Sequence, residues 1–438
     1  MKICMFTNTY LPHVGGVARS VANFTEDLRK LGHEVLVVAP TFPDRKPGQD
    51  ADKVLRVPAL QNFNGSDFSV RIPLPFIISE RIEAFGPDVI HSHHPFLLGD
   101  AAMRTAYRRN LPLVFTHHTL YEEYTHYVSN NSEIMRRFAI KLSTLYANLC
   151  YQVVAPSESI AALIEERGVK RPVRVIPTGI DVEGFSRGDG PGFRKAYQIP
   201  EDARVIGHLG RLAPEKNLAY LARAAAGAMK KDAQLWFLVV GSGPSEAEMK
   251  KILAERGLSG RLVMAGKQTG GDLVDAYHAM DLFAFASKSE TQGMVLAEAM
   301  ACGLPVVALD APGAREVVED GVNGRLLDGA ADTAQFTEAL SAYFSGSLTS
   351  ARAGGWPQAA RDTAAAFSRQ SSAQKLGRLY EEIAEKGVEY LPPSAIPEAI
   401  IPWDSLQRTV GAEWELLSQK ATALAKTVQI MPGQPSDE

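Results

Sequence analysis

The chain has 438 residues, 45% of them hydrophobic and 22% charged, with a formal net charge of -4. That length exceeds one ordinary core and points to two domains plus an extension, while the acidic balance argues against general nucleic-acid binding. No uninterrupted apolar stretch reaches the roughly 18 residues needed to cross a bilayer, and Cys4, Cys150 and Cys302 lie far apart without metal-ligand spacing, which fits a reducing compartment and no disulfide framework.

In chain order, short apolar runs alternate with amphipathic helical stretches, the pattern of doubly wound parallel sheets. The start, Met1-Lys2-Ile3-Cys4-Met5-Phe6, reads as a first strand rather than a signal peptide, since no long apolar segment and no small-residue cleavage site follow. Tyr10-Leu11-Pro12-His13-Val14-Gly15-Gly16-Val17 then leads into a helix bearing Val21, Phe24 and Leu28. Gly15 and Gly16 let backbone approach a ligand closely and aim a helix start at negative charge. A plain turn is the competing reading, and the G-x-G-x-x-G fingerprint of a dinucleotide-binding dehydrogenase is absent. Further strands are expected over 34–39, 88–91, 113–116 and 152–155. Histidines gather at two strand ends, His91-Ser92-His93-His94-Pro95 and Thr116-His117-His118-Thr119, with Tyr121 and Tyr124 close behind. Imidazoles ligate metals, but no cysteine or carboxylate spacing accompanies these, and no metal is expected. Ile134-Met135-Arg136-Arg137-Phe138-Ala139-Ile140-Lys141-Leu142 is basic, apolar and free of acids, suited either to anionic lipid headgroups or to a core-facing helix with three solvated cations. A stretch rich in glycine and charge, 184–192, is expected to link two halves.

The second half repeats the alternation, with strands expected over 205–209, 236–240, 262–264, 282–286 and 305–308. After the first of these comes Gly210-Arg211-Leu212-Ala213-Pro214-Glu215-Lys216-Asn217 and a helix bearing Leu218 and Leu221. Arg211 can engage phosphate oxygens bidentately and Lys216 as a point charge; solvated loop charge is the alternative for each. Ser289-Glu290-Thr291-Gln292-Gly293-Met294-Val295-Leu296-Ala297-Glu298 follows the apolar run ending at Ala286. If the chain is helical from Thr291 onward, Glu290 and Glu298 stand roughly 12 Å apart along the axis. A glycosidase pair needs roughly 5 to 10 Å, so the spacing suits the hexose and ribose at opposite ends of a nucleotide sugar better. Backbone N–H groups of Gly293, Met294 and Val295 would then face its phosphates. Two exposed acids on an ordinary helix are the alternative. From Pro392 the chain changes character: Trp403, Leu406, Val410, Trp414, Leu417, Ala421, Leu424 and Val428 recur in steps of three and four on one helical stripe. With mixed charges around it, docking onto the rest of the chain or a second subunit is expected ahead of lipid insertion.

Gly210-Arg211-Leu212 with Glu215-Lys216-Asn217, Gly241-Ser242-Gly243-Pro244, and Glu290 through Glu298 followed by Ala299-Met300-Ala301-Cys302-Gly303-Leu304-Pro305-Val306-Val307 resemble the retaining GT-B glycosyltransferases of family four. The resemblance runs over about residues 1 to 390. It implies an α/β GT-B fold in which two doubly wound Rossmann-like domains face each other across a cleft, with a C-terminal helical extension. The acceptor domain would cover 1–180 and the nucleotide-sugar donor domain 181–370. A helix over 371–390 would cross back to the first domain, and 391–438 would be an extension with an amphipathic helix. It further implies that Arg211 and Lys216 hold the donor diphosphate, with Gly243 in the same site, and that Glu290 and Glu298 hold sugar and ribose. The loop near Lys267 would meet the base, Gly15 and Gly16 would lie against diphosphate and sugar, and His118 would contact the transferred sugar. His118, Arg211, Lys216 and Glu290 form the implied catalytic set, and His13, His94, Tyr121 and Tyr124 are expected on the acceptor side. No cofactor is expected beyond the nucleotide sugar, which is a substrate.

The implied reaction keeps the anomeric configuration. No carboxylate is evident where a nucleophile should stand, so front-face attack is expected, with the departing diphosphate helping to take the acceptor proton. Thr116 through Val128, with Ser289-Glu290-Thr291-Gln292-Gly293, resemble bacterial diacylglycerol α-glucosyltransferases in particular; His91-Ser92-His93-His94-Pro95 departs from the usual lipid-enzyme sequence. The expected function is transfer of glucose from UDP-glucose to a membrane lipid such as diacylglycerol. The alternative is retaining glycosyl or mannosyl transfer to a soluble sugar, polyol or sugar phosphate; a non-catalytic nucleotide-sugar-binding regulator is the reading from another class. Expected partners are the donor, a lipid or sugar acceptor, an anionic membrane met peripherally from the cytoplasm, and a second copy in a homodimer, with no nucleic acid.

Overall fold

The computed structural model describes residues 1–13, 15–41, 53–60, 70–71, 75–122, 133–346 and 355–386. The chain separates into two units, Met1–Pro177 with the described residues from Ser372 onward, and Thr178–Ser371. In the first, apolar runs become β1 (Lys2–Phe6), β2 (Glu34–Pro40) and β3 (Val54–Val57), then a two-stranded antiparallel pair, β4 (Ala59–Leu60) and β5 (Val70–Arg71). β6 (Val89–Ser92), β7 (Leu113–Thr116), β8 (Gln152–Ala155) and β9 (Val173–Val175) complete it. Seven of these form a parallel sheet in the order β3-β2-β1-β6-β7-β8-β9.

The two-residue period of a strand sorts its side chains between the sheet's faces. Cys4 and Phe6 join the core formed with Leu98, Ala102 and Met103 of the helix Leu98–Arg109 and with Tyr146 and Ile160. Ile3 and Met5 join the opposite core, with Val21, Phe24 and Leu28 of the helix Gly16–Lys30. The helix Arg369–Lys386 adds Leu376, Leu379, Tyr380 and Ile383 to that second face. Burial on both faces is why these strands read as continuous apolar runs, and each large side chain so removed from water contributes roughly 1.5–3 kcal/mol.

The second unit has a six-stranded parallel sheet. Its strands are β10 (Arg204–Leu209), β11 (Leu235–Val240), β12 (Leu262–Gly266), β13 (Leu282–Phe285), β14 (Val306–Leu309) and β15 (Gly324–Leu327), in the order β12-β11-β10-β13-β14-β15. Here too the faces alternate: Phe283 and Phe285 enter one core, Leu282 and Ala284 the other. The stretch 184–192 is no open connection, since it runs between the helices Val182–Phe185 and Gly190–Ala196 and leads to Phe193, which is buried in this unit's core. β3, β9 and β15 are short strands on or near sheet edges that periodicity alone leaves unmarked. Among the described residues no helix is long and apolar enough to cross a membrane.

Candidate functional site

The candidate donor residues of the second unit gather at the carboxyl ends of its strands, where open α/β sheets bind ligands. Because β13 lies beside β10, the loops after Leu209 and Phe285 run side by side. Lys216, closing the 3-10 turn Pro214–Lys216, donates from Nζ to Glu290 Oε1 at 2.6 Å and to Ser289 Oγ at 3.4 Å. Ser289 Oγ donates to the Glu215 carbonyl at 3.3 Å, and Asn217 Nδ2 to the Ala286 carbonyl at 3.2 Å. The Lys216 and Glu290 side chains are only 13% and 23% exposed, which makes this a largely buried ion pair. Arg211, more exposed, is paired with Glu215. On the same strand end, His208 donates from Nδ1 to the Ala284 carbonyl at 3.1 Å, and its buried Nε2 has no partner among the described residues. Burial first, and the Lys216 charge after it, hold that imidazole down to about 4, against the opposing pull of the Ala284 carbonyl and Glu290.

Helix formation starts later than the sequence pattern predicts. Gly293 is left-handed at φ 71° and caps a helix that runs Met294–Ala301, so Glu290 stands in the loop ahead of a bend at Thr291 and Gln292, and the 1.5 Å rise per residue does not apply between Thr291 and Gly293. The bend is fixed by close backbone approach: a Cβ at Gly293 would fall 2.5 Å from the Gly313 carbonyl oxygen, and one at Gly313 would fall 2.6 Å from Glu290 Cβ. Gln292 anchors it further, donating from Nε2 to the Thr178 carbonyl at 2.6 Å and accepting from the Thr178 N–H at 2.7 Å. Met294 and Val295 sit half-buried on the first turn. Glu298 is 2% exposed and accepts from Tyr277 Oη at 2.9 Å. Gly243 packs where a Cβ would lie 2.3 Å from the Leu212 carbonyl oxygen, tying the loop after β11 to the one bearing Arg211. Lys267 is exposed just past β12, two strands from β10.

In the first unit the histidines lie at or just past the carboxyl ends of β6 and β7, which are neighbours. His91 meets Tyr380 Oη through Nδ1 at 2.5 Å and Thr116 Oγ1 through Nε2 at 2.7 Å, while its ring lies 4.1 Å from that of His93. His93 Nδ1 meets His118 Nε2 at 2.8 Å. His94 is buried and accepts from the Asn8 N–H through Nδ1 at 3.1 Å. Burial holds His91 and His94 down to about 3 and, with help from Arg167, His117 to about 4. Burial and the neighbouring imidazoles hold His93 and His118 well below the usual histidine range. The Tyr121 ring packs edge-on against Phe96 and His117, its buried hydroxyl without a partner among the described residues. Gly15 caps the helix Gly16–Lys30 in an extended conformation; a Cβ there would meet His13 Nε2 at 3.1 Å, and one at Gly16 would meet nothing within 4 Å. Among the described residues Gly16 therefore answers to no packing demand. Tyr124 and the stripe over 391–438 lie outside the described residues. Arg136, Arg137 and Lys141 fall on the helix Glu133–Leu149, with Arg137 paired to Glu133. Among the described residues no group of three or more histidine, cysteine or acidic side chains is placed to hold a metal ion, and the three cysteines are free and buried.

The structure thus joins Lys216 to Glu290, Arg211 to Glu215 and His93 to His118. Sequence reasoning missed Tyr277, Gln292 and Gly313. Of these, Gly313 had a signal, since Ala311-Pro312-Gly313 follows an apolar run as a turn would; a tyrosine on the amphipathic helix Gly270–His278 had none.

Residues 14–183 match the family described as Glycosyltransferase Family 4, and residues 191–354 the one described as Glycosyl transferases group 1. Alpha-monoglucosyldiacylglycerol synthase of Streptococcus pneumoniae is 30% identical over 339 residues, covering 76% of this chain and 77% of that protein. GDP-mannose-dependent alpha-mannosyltransferase of Mycolicibacterium smegmatis is 31% identical over 332 residues, covering 75% and 84%. Among solved structures, the Anabaena protein Alr3699/HepE in complex with UDP-glucose superimposes with a TM-score of 0.68 at 21% identity, over 87% of this chain and 100% of that one. That likeness establishes the fold, two Rossmann-like domains of the GT-B type.

Proposed function

This chain belongs to glycosyltransferase family 4 and is an enzyme, and from that premise we propose that it moves glucose from UDP-glucose to the hydroxyl of a membrane lipid such as diacylglycerol, keeping the anomeric configuration. The observation that carries the donor side is the Lys216–Glu290 pair at 2.6 Å on the strand ends of the second unit. It sets a cation for a diphosphate and an acceptor for hexose hydroxyls side by side, the two halves of a sugar diphosphate that must be bound together. Arg211 adds a planar donor for the phosphate oxygens, Glu298 takes the ribose diol, the start of the helix Met294–Ala301 faces the phosphates, and Lys267 lies by the base. In the first unit, His118 contacts the sugar, and Gly15 and Gly16 leave room for the donor.

The acceptor hydroxyl attacks on the face the diphosphate leaves. The C–O bond to the diphosphate breaks as the new glycosidic C–O bond forms, the bonding pair departs with the diphosphate, and the diphosphate oxygen takes the hydroxyl proton. Arg211 and Lys216 stabilise the charge developing there. The lipid acceptor is supported by the diacylglycerol-directed relative, and peripheral membrane contact by the cations Arg136, Arg137 and Lys141 on the helix Glu133–Leu149. The mannosyltransferase relative favours a second reading, mannosyl transfer from GDP-mannose. Purified protein incubated with labelled UDP-glucose and GDP-mannose, each with and without total membrane lipid extract, separates them. Glycolipid formed from UDP-glucose only when extract is present supports the first reading. Transfer from GDP-mannose alone, or equal product without lipid, overturns it.

A further inference from the structure

We propose that His93 is a positioning residue: it donates from Nδ1 to His118 Nε2 and thereby locks His118 as the tautomer that carries its proton on Nδ1. This rests on the reading that His118 contacts the transferred sugar. The two nitrogens are 2.8 Å apart, a hydrogen-bond distance, so one proton lies between them, and burial with the neighbouring imidazoles holds both rings well below the usual histidine range. If His118 Nε2 held it, His93 would accept through Nδ1 and carry its own proton on Nε2. That atom is buried and has no partner among the described residues. The arrangement would bury an unsatisfied N–H, a donor that folded proteins rarely leave unpaired. With the proton on His93 Nδ1, the bare nitrogen is instead a weak, unprotonated acceptor. The His93 ring cannot rotate out of this duty easily, because it lies 4.1 Å from His91, itself pinned between Tyr380 and Thr116. The second ring nitrogen of His118 is consequently a hydrogen-bond donor. So protonated it cannot act as a base, which agrees with a reaction whose proton goes to the diphosphate.

Long-range 1H–15N correlation spectra of the full chain labelled with 15N-histidine read this directly, with the His118 signals assigned by their loss in His118→Gln. Protonated Nδ1 and unprotonated Nε2 at His118 are expected. His93→Leu should give a mixed tautomer and lower kcat by roughly tenfold, the scale of one lost hydrogen bond, with donor affinity within about twofold. His93→Asn, whose amide nitrogen reaches close to the Nδ1 position, should restore most of the lost rate. A protonated Nε2 at His118 in the unaltered protein overturns the inference, as does a folded His93→Leu protein with normal tautomer and turnover. Full activity of His118→Ala overturns instead the reading on which the inference rests.

Discussion

Lys216→Ala tests the donor site at its centre. At 2.6 Å and an effective dielectric of 20, the gross attraction in the Lys216–Glu290 pair is about 6 kcal/mol. Most of that is offset by desolvation, and truncating one partner of a buried pair costs about 2–5 kcal/mol because the other charge is left behind. Glu290 keeps 23% of its side chain in contact with water, so the lower end, about 2 kcal/mol, is the appropriate figure. For a unit spanning Thr178–Ser371, that lowers the melting temperature by roughly 4–8 °C and leaves the protein folded at 25 °C. The chemical step suffers more. Loss of one preorganised charge from a developing oxyanion costs about 3–4 kcal/mol, a fall in kcat of roughly 10²–10³-fold. The assay is initial-rate transfer from labelled UDP-glucose at saturating acceptor, beside calorimetric melting of the same preparation. A folded Lys216→Ala protein within threefold of normal turnover refutes the reasoning.

Tyr277→Phe removes the hydroxyl that donates to Glu298 at 2.9 Å. Donor Kd should weaken several-fold, about 1 kcal/mol, with little change in kcat; isothermal titration with UDP-glucose checks it, and an unchanged Kd separates Glu298 from the ribose. Gly293→Ala forces a Cβ to within 2.5 Å of the Gly313 carbonyl oxygen in a left-handed conformation, so soluble yield and donor binding should both collapse, while Gly16→Ala, with nothing within 4 Å, should fold normally and lose donor affinity alone. Stability should depend on pH through the buried imidazoles. Their usual value is 6.5, and folding lowers His91 and His94 to about 3 and His117 and His208 to about 4. The unfolded chain therefore binds protons that the folded one refuses below pH 6.5. Their contribution is complete above that pH and is lost as pH falls toward 4 and then 3. A melting temperature flat from pH 7 to pH 5 would contradict this.

Much of the fold was legible because buried parallel strands advertise themselves: the runs around Met5, Val37, Phe237 and Phe283 are apolar on both faces, and few other structures tolerate that. Edge strands such as β9, whose Arg174 faces water, lack the signal. In the site, charge and residue type singled out Lys216 and Glu290 separately. Their union came from adjacency of β10 and β13, a long-range property that spacing along the chain does not encode. The late start of the helix at Met294 follows from Gly313, 20 residues beyond Gly293, again a neighbour that local propensity cannot see. His94 was singled out for the acceptor side and His93 was not, yet it is His93 that reaches His118; which of two adjacent histidines points where depends on how the chain leaves β6.

The helix Arg369–Lys386 has a consequence for biosynthesis. Leu376, Leu379, Tyr380 and Ile383 complete a core whose other members, such as Ile3, Val21 and Leu28, leave the ribosome more than 300 residues earlier. The amino-terminal unit must therefore wait, with one apolar flank uncovered, while the whole second unit is translated. Premature termination before Ser372 would release a chain whose second unit can fold and whose first cannot close, a species prone to aggregate or to be captured by chaperones.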